Sequence, residues 1–343
     1  MISDLLSTDA TAIERATKRF EHVHATEEAP TLSVVVICFN HAPFIEACLG
    51  SIHAQDVPFR IEVIVGDDGS TDDSFERCVA FSQKGQIETR IYEWSREAKW
   101  MRHGRGTGKL NFLRCYALAR APYVAVLDGD DLWIRPDKLR LQWDLMQRTG
   151  AVIVAANSVE GPDLEHAQPR PNPFPAGEFT KEHFRERNWT GDTTNTLLLH
   201  DVNKEETVRM LLSEFLSVPY LDWPLQLVLL SRGGMGIRME ERLGFYRQQP
   251  QGWYSSKLTI DRALDAYLVR SILGYFFQDE QAGPSAIEAK NRVRMAFFEE
   301  LEQGRAETVA LLSRKQAWKL IRALCAHIWH ASTIRKRPES RSK

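Results

Sequence analysis

The chain has 343 residues, 43% hydrophobic and 26% charged, an ordinary globular composition with core material for one large domain or two modest ones. Its formal net charge of −2 argues against a nucleic-acid binder. Its five cysteines (Cys38, Cys48, Cys78, Cys115, Cys325) are scattered without a CxxC pair, which argues against a disulfide scaffold or zinc site and fits a reducing compartment.

No N-terminal apolar stretch has the form of a signal peptide, and no run is long enough to span a bilayer, so a soluble cytoplasmic protein is expected. Residues 1–30 are polar, with helical spacing from Ile13 to Phe20, and predict a helical N-terminal arm ended by Pro30. Leu32 to Cys38 (LSVVVIC) reads as a strand buried on both faces. A turn comes next at Phe39-Asn40-His41-Ala42-Pro43. Phe44, Ile45, Cys48, Leu49 and Ile52 then fall at helical spacing. Ile61 to Val65 is a second apolar run, closed by Gly66-Asp67-Asp68-Gly69-Ser70-Thr71, and a helix is expected from Asp72. Strand, helix, strand, helix is the pattern of a parallel sheet, in which ligands bind beyond the carboxyl ends of the strands. Asp67 and Asp68 would lie at that edge, where a carboxylate can accept hydrogen bonds from a base N–H or ribose hydroxyls. DGS is equally the chemistry of a turn with a helix cap.

Ile87 to Trp94 predicts another strand. Arg102 to Lys109 (RHGRGTGK) is a basic, glycine-rich loop without P-loop spacing; Arg102, Arg105 and Lys109 would suit a diphosphate, or the segment is a mobile surface loop. A helix over Asn111 to Leu118 leads to the strand Tyr123 to Leu127, which runs into Asp128, Gly129, Asp130 and Asp131. Three carboxylates in four residues repel one another. A divalent cation relieves that repulsion, and hard oxygen ligands suit Mg²⁺ or Mn²⁺, held by one or two carboxylates together with substrate phosphates. The alternative is a solvated acidic turn in which Asp131 caps the next helix.

The ordered set SVVVICFN, VIVGDDGSTD and YVAVLDGDDLWIRPDKL resembles the family 2 glycosyltransferases of the GT-A fold, over residues 31–255. The resemblance implies an inverting, nucleotide-sugar-dependent enzyme of α/β class: a Rossmann-like, mostly parallel central sheet flanked by helices, with a helical C-terminal region. By position, Asp68 resembles the family's uracil-facing acid, and Asn40 lies in its first nucleotide-contacting loop. Asp128, Asp130 and Asp131 overlie the DxD-type motif that holds the ribose and the metal bridging the diphosphate. The resemblance thus implies nucleotide-sugar contacts at Asn40, Asp68, Asp128, Asp130 and Arg247, to which the reading of the basic loop adds Lys109. It implies Mn²⁺ or Mg²⁺ at Asp130 and Asp131. GDDLW and the Pro136 beyond it resemble a bacterial subgroup with GDDYW.

Further along, a helix is expected from Pro136 to Gly150 and a strand at 151–155 (AVIVA). The proline-rich stretch 157–177 predicts a loop over the acceptor side. Trp189 to Leu199 places Thr190, Asp192, Thr193 and Asn195 before an apolar strand, near acceptor and donor sugar by the resemblance or in a simple polar turn. In Tyr220 to Leu230 (YLDWPLQLVLL), Asp222 matches the family's general base; a helix N-cap is the plainer alternative. Gly244 to Ser255 resembles the subgroup's YRxHxxGxWS segment, with Gln249 where that pattern has His, so a third protein metal ligand is in doubt. Arg247 and Tyr254 would contact phosphate, or Arg247 is structural. Helical spacing resumes after Lys257, and the last helix, Gln316 to Ser332, sets tryptophans on one face amid Lys and Arg. It fits either the protein body or an anionic membrane surface.

The expected domains are a helical arm (1–30), a GT-A domain (31–255, with a nucleotide-binding half 31–135 and an acceptor half 136–255), and a helical region with a basic tail (256–343). The expected function is transfer from a nucleotide-diphosphate sugar, UDP foremost, to a saccharide or lipid-linked acceptor in bacterial surface-polysaccharide synthesis. The setting is cytoplasmic, extending to the inner membrane face for a lipid-linked acceptor. The alternatives are a nucleotide-sugar-binding scaffold and a nucleotidyltransferase; the latter would need a glycine-rich triphosphate loop where CFNHAPF stands.

Overall fold

Strands apolar on both faces need helices on both faces of their sheet, and the chain supplies them. A computed structural model describes residues 16–23, 28–94, 100–102, 105–186, 188, 190, 196–215, 218, 220–249 and 269. These lie in one compact unit, residues 1–256 with 268–283. In order, the elements are β1 (Ala16–His22), β2 (Leu32–Cys38), α1 (Ile45–His53), β3 (Ile61–Asp67), α2 (Ser74–Ser82), β4 (Glu88–Trp94), β5 (Trp100–Arg102) and β6 (Arg105–Thr107). Next come α3 (Lys109–Leu118), β7 (Tyr123–Asp128), β8 (Leu132–Trp133), α4 (Lys138–Thr149), β9 (Ile153–Gly161), β10 (Gln168–Pro169) and β11 (Gly177–Phe179). The last are α5 (Lys181–Glu186), β12 (Leu197–His200), α6 (Lys204–Glu214), α7 (Asp222–Ser231) and β13 (Gly236–Arg247).

The main sheet runs β1-β4-β3-β2-β7-β12-β9-β13-β11. β4, β3, β2 and β7 are parallel neighbours, as the sequence pattern predicts; β12 is antiparallel to both its neighbours, and β13 runs parallel to β9. Successive side chains face opposite ways. Val35, Ile64, Val124 and Val126 therefore pack with α3, α6 and α7 through Leu113, Leu211 and Leu225. Val34, Val36, Val63, Val65 and Leu127 pack on the other face with α1, α2 and α4 through Ile45, Leu49, Phe75 and Leu139.

Two positions govern how tightly the layers close. Gly150 ends α4 at φ 71°, a left-handed conformation that glycine adopts without strain, as predicted. Gly66 lets α3 lie on β3: a Cβ there would stand 2.0 Å from Asn111 Oδ1 and 2.4 Å from Cys115 Sγ, and Asn111 Nδ2 donates to the Gly66 carbonyl at 2.7 Å. Gly66→Ala is expected to destabilise the fold by about 1–3 kcal/mol through overpacking, read as a lower midpoint in urea unfolding.

At the amino ends of the strands, Glu62 is fully buried and accepts from Ser33 Oγ (2.6 Å), Arg120 N (2.8 Å), Arg120 Nε (2.8 Å) and an Arg90 guanidinium nitrogen (2.8 Å). Arg120 also reaches Glu88. The amino edge is thus closed by charge pairs, while the carboxyl edge carries the carboxylate-bearing loops.

Several expectations are corrected. Residues 16–22, expected to be helical, form an edge strand antiparallel to β4, with Thr17 and Lys18 bonded to Glu93. Ala16 and Phe20 are four apart, a spacing that suits a helix face and a strand face alike, and the free edge of β4 decides between them. The expected loop over 157–177 is strand as far as Gly161, because β9 runs on beside the long β13, and Gln168–Pro169 and Gly177–Phe179 add two short strands. The described part of the glycine-rich loop is an antiparallel hairpin of β5 and β6. Residues 256–343, apart from Val269, lie outside the described residues, as do Asp192, Thr193, Asn195 and Tyr254. No helix among the described residues is long and apolar enough to cross a membrane.

Candidate active site

Register places the predicted residues on one edge. Ile37 at the end of β2 pairs with Asp128 at the end of β7, and Cys38 pairs with Asp67 at the end of β3. The loops beyond β2 and β3 are tied to each other. Asn40, at φ 56°, donates its N–H to Ser70 Oγ (2.8 Å) and accepts from Thr71 N at Oδ1 (2.8 Å). Ala42 N and His41 N donate to Asp72 Oδ2 (3.1 Å) and Ser74 Oγ (2.8 Å). Asp67 is buried, and its Oδ1 accepts Ser70 N at 2.6 Å; burial raises its carboxyl above the usual range, against the bonds from the turn. Asp67 therefore shapes the turn, while Asp68, 7% exposed, anchors its own N–H on the Cys38 carbonyl.

The acidic loop is equally defined. Gly129 N donates to Ile37 O (2.8 Å) and Asp131 N to Asp128 O (2.9 Å). Asp131 is buried, and its Oδ1 accepts the Arg247 N–H at 2.8 Å, while the cap position of α4 falls on Asp137. Asp130 Oδ2 accepts from Gln249 Nε2 at 2.6 Å, and its Oδ1 lies 3.8 Å from His41 Nε2. Gln249 thus stands beside the acids. Burial, then the charge of Asp130, pushes the Asp128 carboxyl up to about 6, against the opposing effect of His41. Burial lowers His41, but its bond to Cys38 and the charges of Asp130 and Asp128 outweigh this and raise it to about 9.

Two predicted phosphate contacts are placed differently. The Arg247 guanidinium donates Nε to the Asp130 carbonyl (2.8 Å) and a terminal nitrogen to the Pro162 carbonyl (2.8 Å), over the ring of Phe44. It braces the acidic loop through the main chain. Lys109 is buried at the start of α3, and its Nζ donates to the Val218 carbonyl at 2.6 Å.

With the guanidinium directed to carbonyls, the cluster keeps three carboxylates with His41 as their nearby cation. Among the described residues no three acid, histidine or cysteine side chains converge on one point. A hard divalent ion held by one or two carboxylates and completed by diphosphate oxygens fits this donor set.

Gly108 lies against Ile37, and the Lys109–Val218 bond draws the segment leading into α7 toward the same edge. Asp222 is the first residue of α7, one place after the cap residue Leu221. Asp222 Oδ2 accepts from Asn188 Nδ2 at 3.1 Å. Asn188, His41 and Gln226 were not distinguished in the sequence. Gln226 alone carried a signal, as the one polar residue within WPLQLVLL, and it is fully buried.

Residues 33–208 match the model of glycosyl transferase family 2. The structure of S. aureus TarS residues 1–349 in complex with UDP-GlcNAc is similar with a TM-score of 0.53 and 14% identity, over 84% of this chain and 78% of that one. The mannosyltransferase PcManGT from Pyrobaculum calidifontis, in complex with GDP-Man and Mn²⁺, is similar with a TM-score of 0.52 and 19% identity, over 89% and 88%. These likenesses show the fold, the GT-A arrangement. An uncharacterised Mycobacterium bovis protein is 30% identical over 128 residues, 37% of this chain and 35% of the relative. Glycosyltransferase GlyA of Streptococcus pneumoniae is 31% identical over 126 residues, 37% of this chain and 16% of the relative. The matches span about a third or less of these curated relatives' own length. The family model covers more than half of the 343 residues, on a fold of the same kind: the chain belongs to glycosyl transferase family 2.

Proposed function

We propose that this chain, through a catalytic domain over residues 31–255, moves a sugar with inversion from a nucleotide-diphosphate sugar, UDP foremost, to a saccharide or lipid-linked acceptor in surface-polysaccharide synthesis. What supports the reading is the Asp68 and Asp128–Asp131 loops at the carboxyl edge of the sheet, together with Asp222 at the start of α7, four residues after Val218, whose carbonyl accepts from Lys109 at the head of α3.

Each group has a distinct task. Asp68, beside the Asn40–Ser70–Thr71 lock, would receive the base and Asp128 the ribose. Asp130 and Asp131 would hold Mg²⁺ or Mn²⁺, which when bound neutralises charge on the leaving diphosphate. Arg247 keeps that loop in place from its backbone side. Asp222 takes the proton from the acceptor hydroxyl as its oxygen attacks the anomeric carbon opposite the leaving group. One carboxylate beside the acceptor is sufficient for inversion.

UDP-GlcNAc and GDP-Man, incubated with the protein, Mn²⁺ and water as acceptor, test this by proton NMR. Both donors are α-linked. The expected first product is the β-anomer of one of the two sugars; the α-anomer appearing first contradicts inversion.

A further inference from the structure

We propose that Asn188, Thr190 and Gln226 form a positioning ring that fixes the orientation of the Asp222 carboxylate at the start of α7. The proposal rests on the reading of Asp222 as general base and adds the residues that aim it.

The ring closes through four bonds. Asn188 Nδ2 donates to Asp222 Oδ2 at 3.1 Å. The Thr190 hydroxyl stands 3.1 Å from Asn188 Oδ1 and 2.8 Å from Gln226 Oε1, one proton between two carboxamide oxygens. Gln226 Nε2 donates to the Asp222 carbonyl at 3.1 Å, one turn back along α7. Asn188, Thr190 and Gln226 are each at most 8% exposed, so water competes little for these bonds. The frame is held from a second side, where Trp223 Nε1 donates to the Phe184 carbonyl at 2.8 Å and fastens α5, just before Asn188, to α7.

The ring has a chemical consequence. The carboxamide of Asn188 has one donor end and one acceptor end. An ionised carboxylate only accepts, so Nδ2 is turned to Asp222 and Oδ1 to the Thr190 hydroxyl, whose one proton is shared with Gln226 Oε1. The Asn188 bond fixes the orientation of the carboxylate through Oδ2. It also favours the ionised carboxylate that a base requires.

The test uses the full-length protein with aspartate side-chain carboxyls labelled with ¹³C. The Asp222 signal is the one missing from Asp222→Asn. It is expected to move in Asn188→Ala and Thr190→Val and to return to the wild-type position in Thr190→Ser. In parallel, diphosphate release from UDP-GlcNAc and GDP-Man with water as acceptor is expected to lose about tenfold in kcat in Asn188→Ala and Thr190→Val, with donor KM unchanged. An Asp222 signal unmoved by Asn188→Ala overturns the ring. So does full turnover in Asn188→Ala beside an inactive Asp222→Asn. Turnover retained by Asp222→Asn would instead overturn the general-base reading, while the carboxyl signal still decides whether the ring exists.

Discussion

Asp222→Asn is expected to lower sugar transfer by about 10²–10⁴-fold, the range lost with a general base, and to leave nucleotide binding at its wild-type strength. Asparagine keeps the size and one oxygen of the side chain but cannot take a proton at neutral pH. Gln226 Nε2 donates to the Asp222 main-chain carbonyl, a bond in the first turn of α7 that the substitution leaves in place. A folding defect is therefore not expected. Asn188 Nδ2 finds an oxygen in the variant as it does in the wild type. Initial rates set against calorimetric titration with UDP and Mn²⁺ separate the two effects. An unchanged rate removes Asp222 from the mechanism.

Glu62→Gln carries the largest expected loss of stability, about 3–5 kcal/mol, the range found when one partner of a buried ion pair is removed. Arg90 is the principal partner left behind, its side chain 11% exposed; Arg120, at 44%, is better hydrated and contributes less. Burial alone would raise the Glu62 carboxyl. Arg90, the Ser33 hydroxyl and Arg120 outweigh burial and hold it below the ordinary value. A carboxyl depressed in the folded state contributes stability above its unfolded pKa, about 4.3, and that contribution is lost as pH falls through the lower, folded value. Urea unfolding at pH 7 and pH 3.5 reads both parts: the variant should start lower at pH 7 and lose less between the two. Equal acid losses in both proteins would contradict this account of the cluster.

The carboxyl edge was legible in the sequence because apolar runs such as Leu32 to Cys38 and Tyr123 to Leu127 declare themselves as strands, and the loop after each strand must emerge at that edge. The strand β13 that carries Arg247 and leads to Gln249 was not read from the sequence, where that stretch stood out only by its resemblance to the subgroup's segment. The hidden features depend on contacts distant in sequence. Lys109 reads as a loop cation until Val218, 109 residues away, takes its amine. Arg247 reads as a phosphate ligand until its fork meets the carbonyls of Asp130 and Pro162. Asn188 gains its meaning from Asp222, 34 residues on. The strand at 16–22 needed knowledge that the edge of β4 was free, which no local pattern contains.

The most direct test of the account is thermal stability of the wild type, Asp68→Ala and Asp130→Ala against UDP, TDP, GDP, CDP and ADP, each with Mn²⁺, Mg²⁺ or EDTA. A ligand at a hundred times its Kd stabilises by about 2.7 kcal/mol, a readily measured rise in Tm. The account predicts a rise with one diphosphate, UDP foremost, that needs the metal, weakens in Asp68→Ala and loses its metal dependence in Asp130→Ala. No rise with any nucleotide would contradict the donor site, and a rise that persists in EDTA would contradict a metal at the acidic loop.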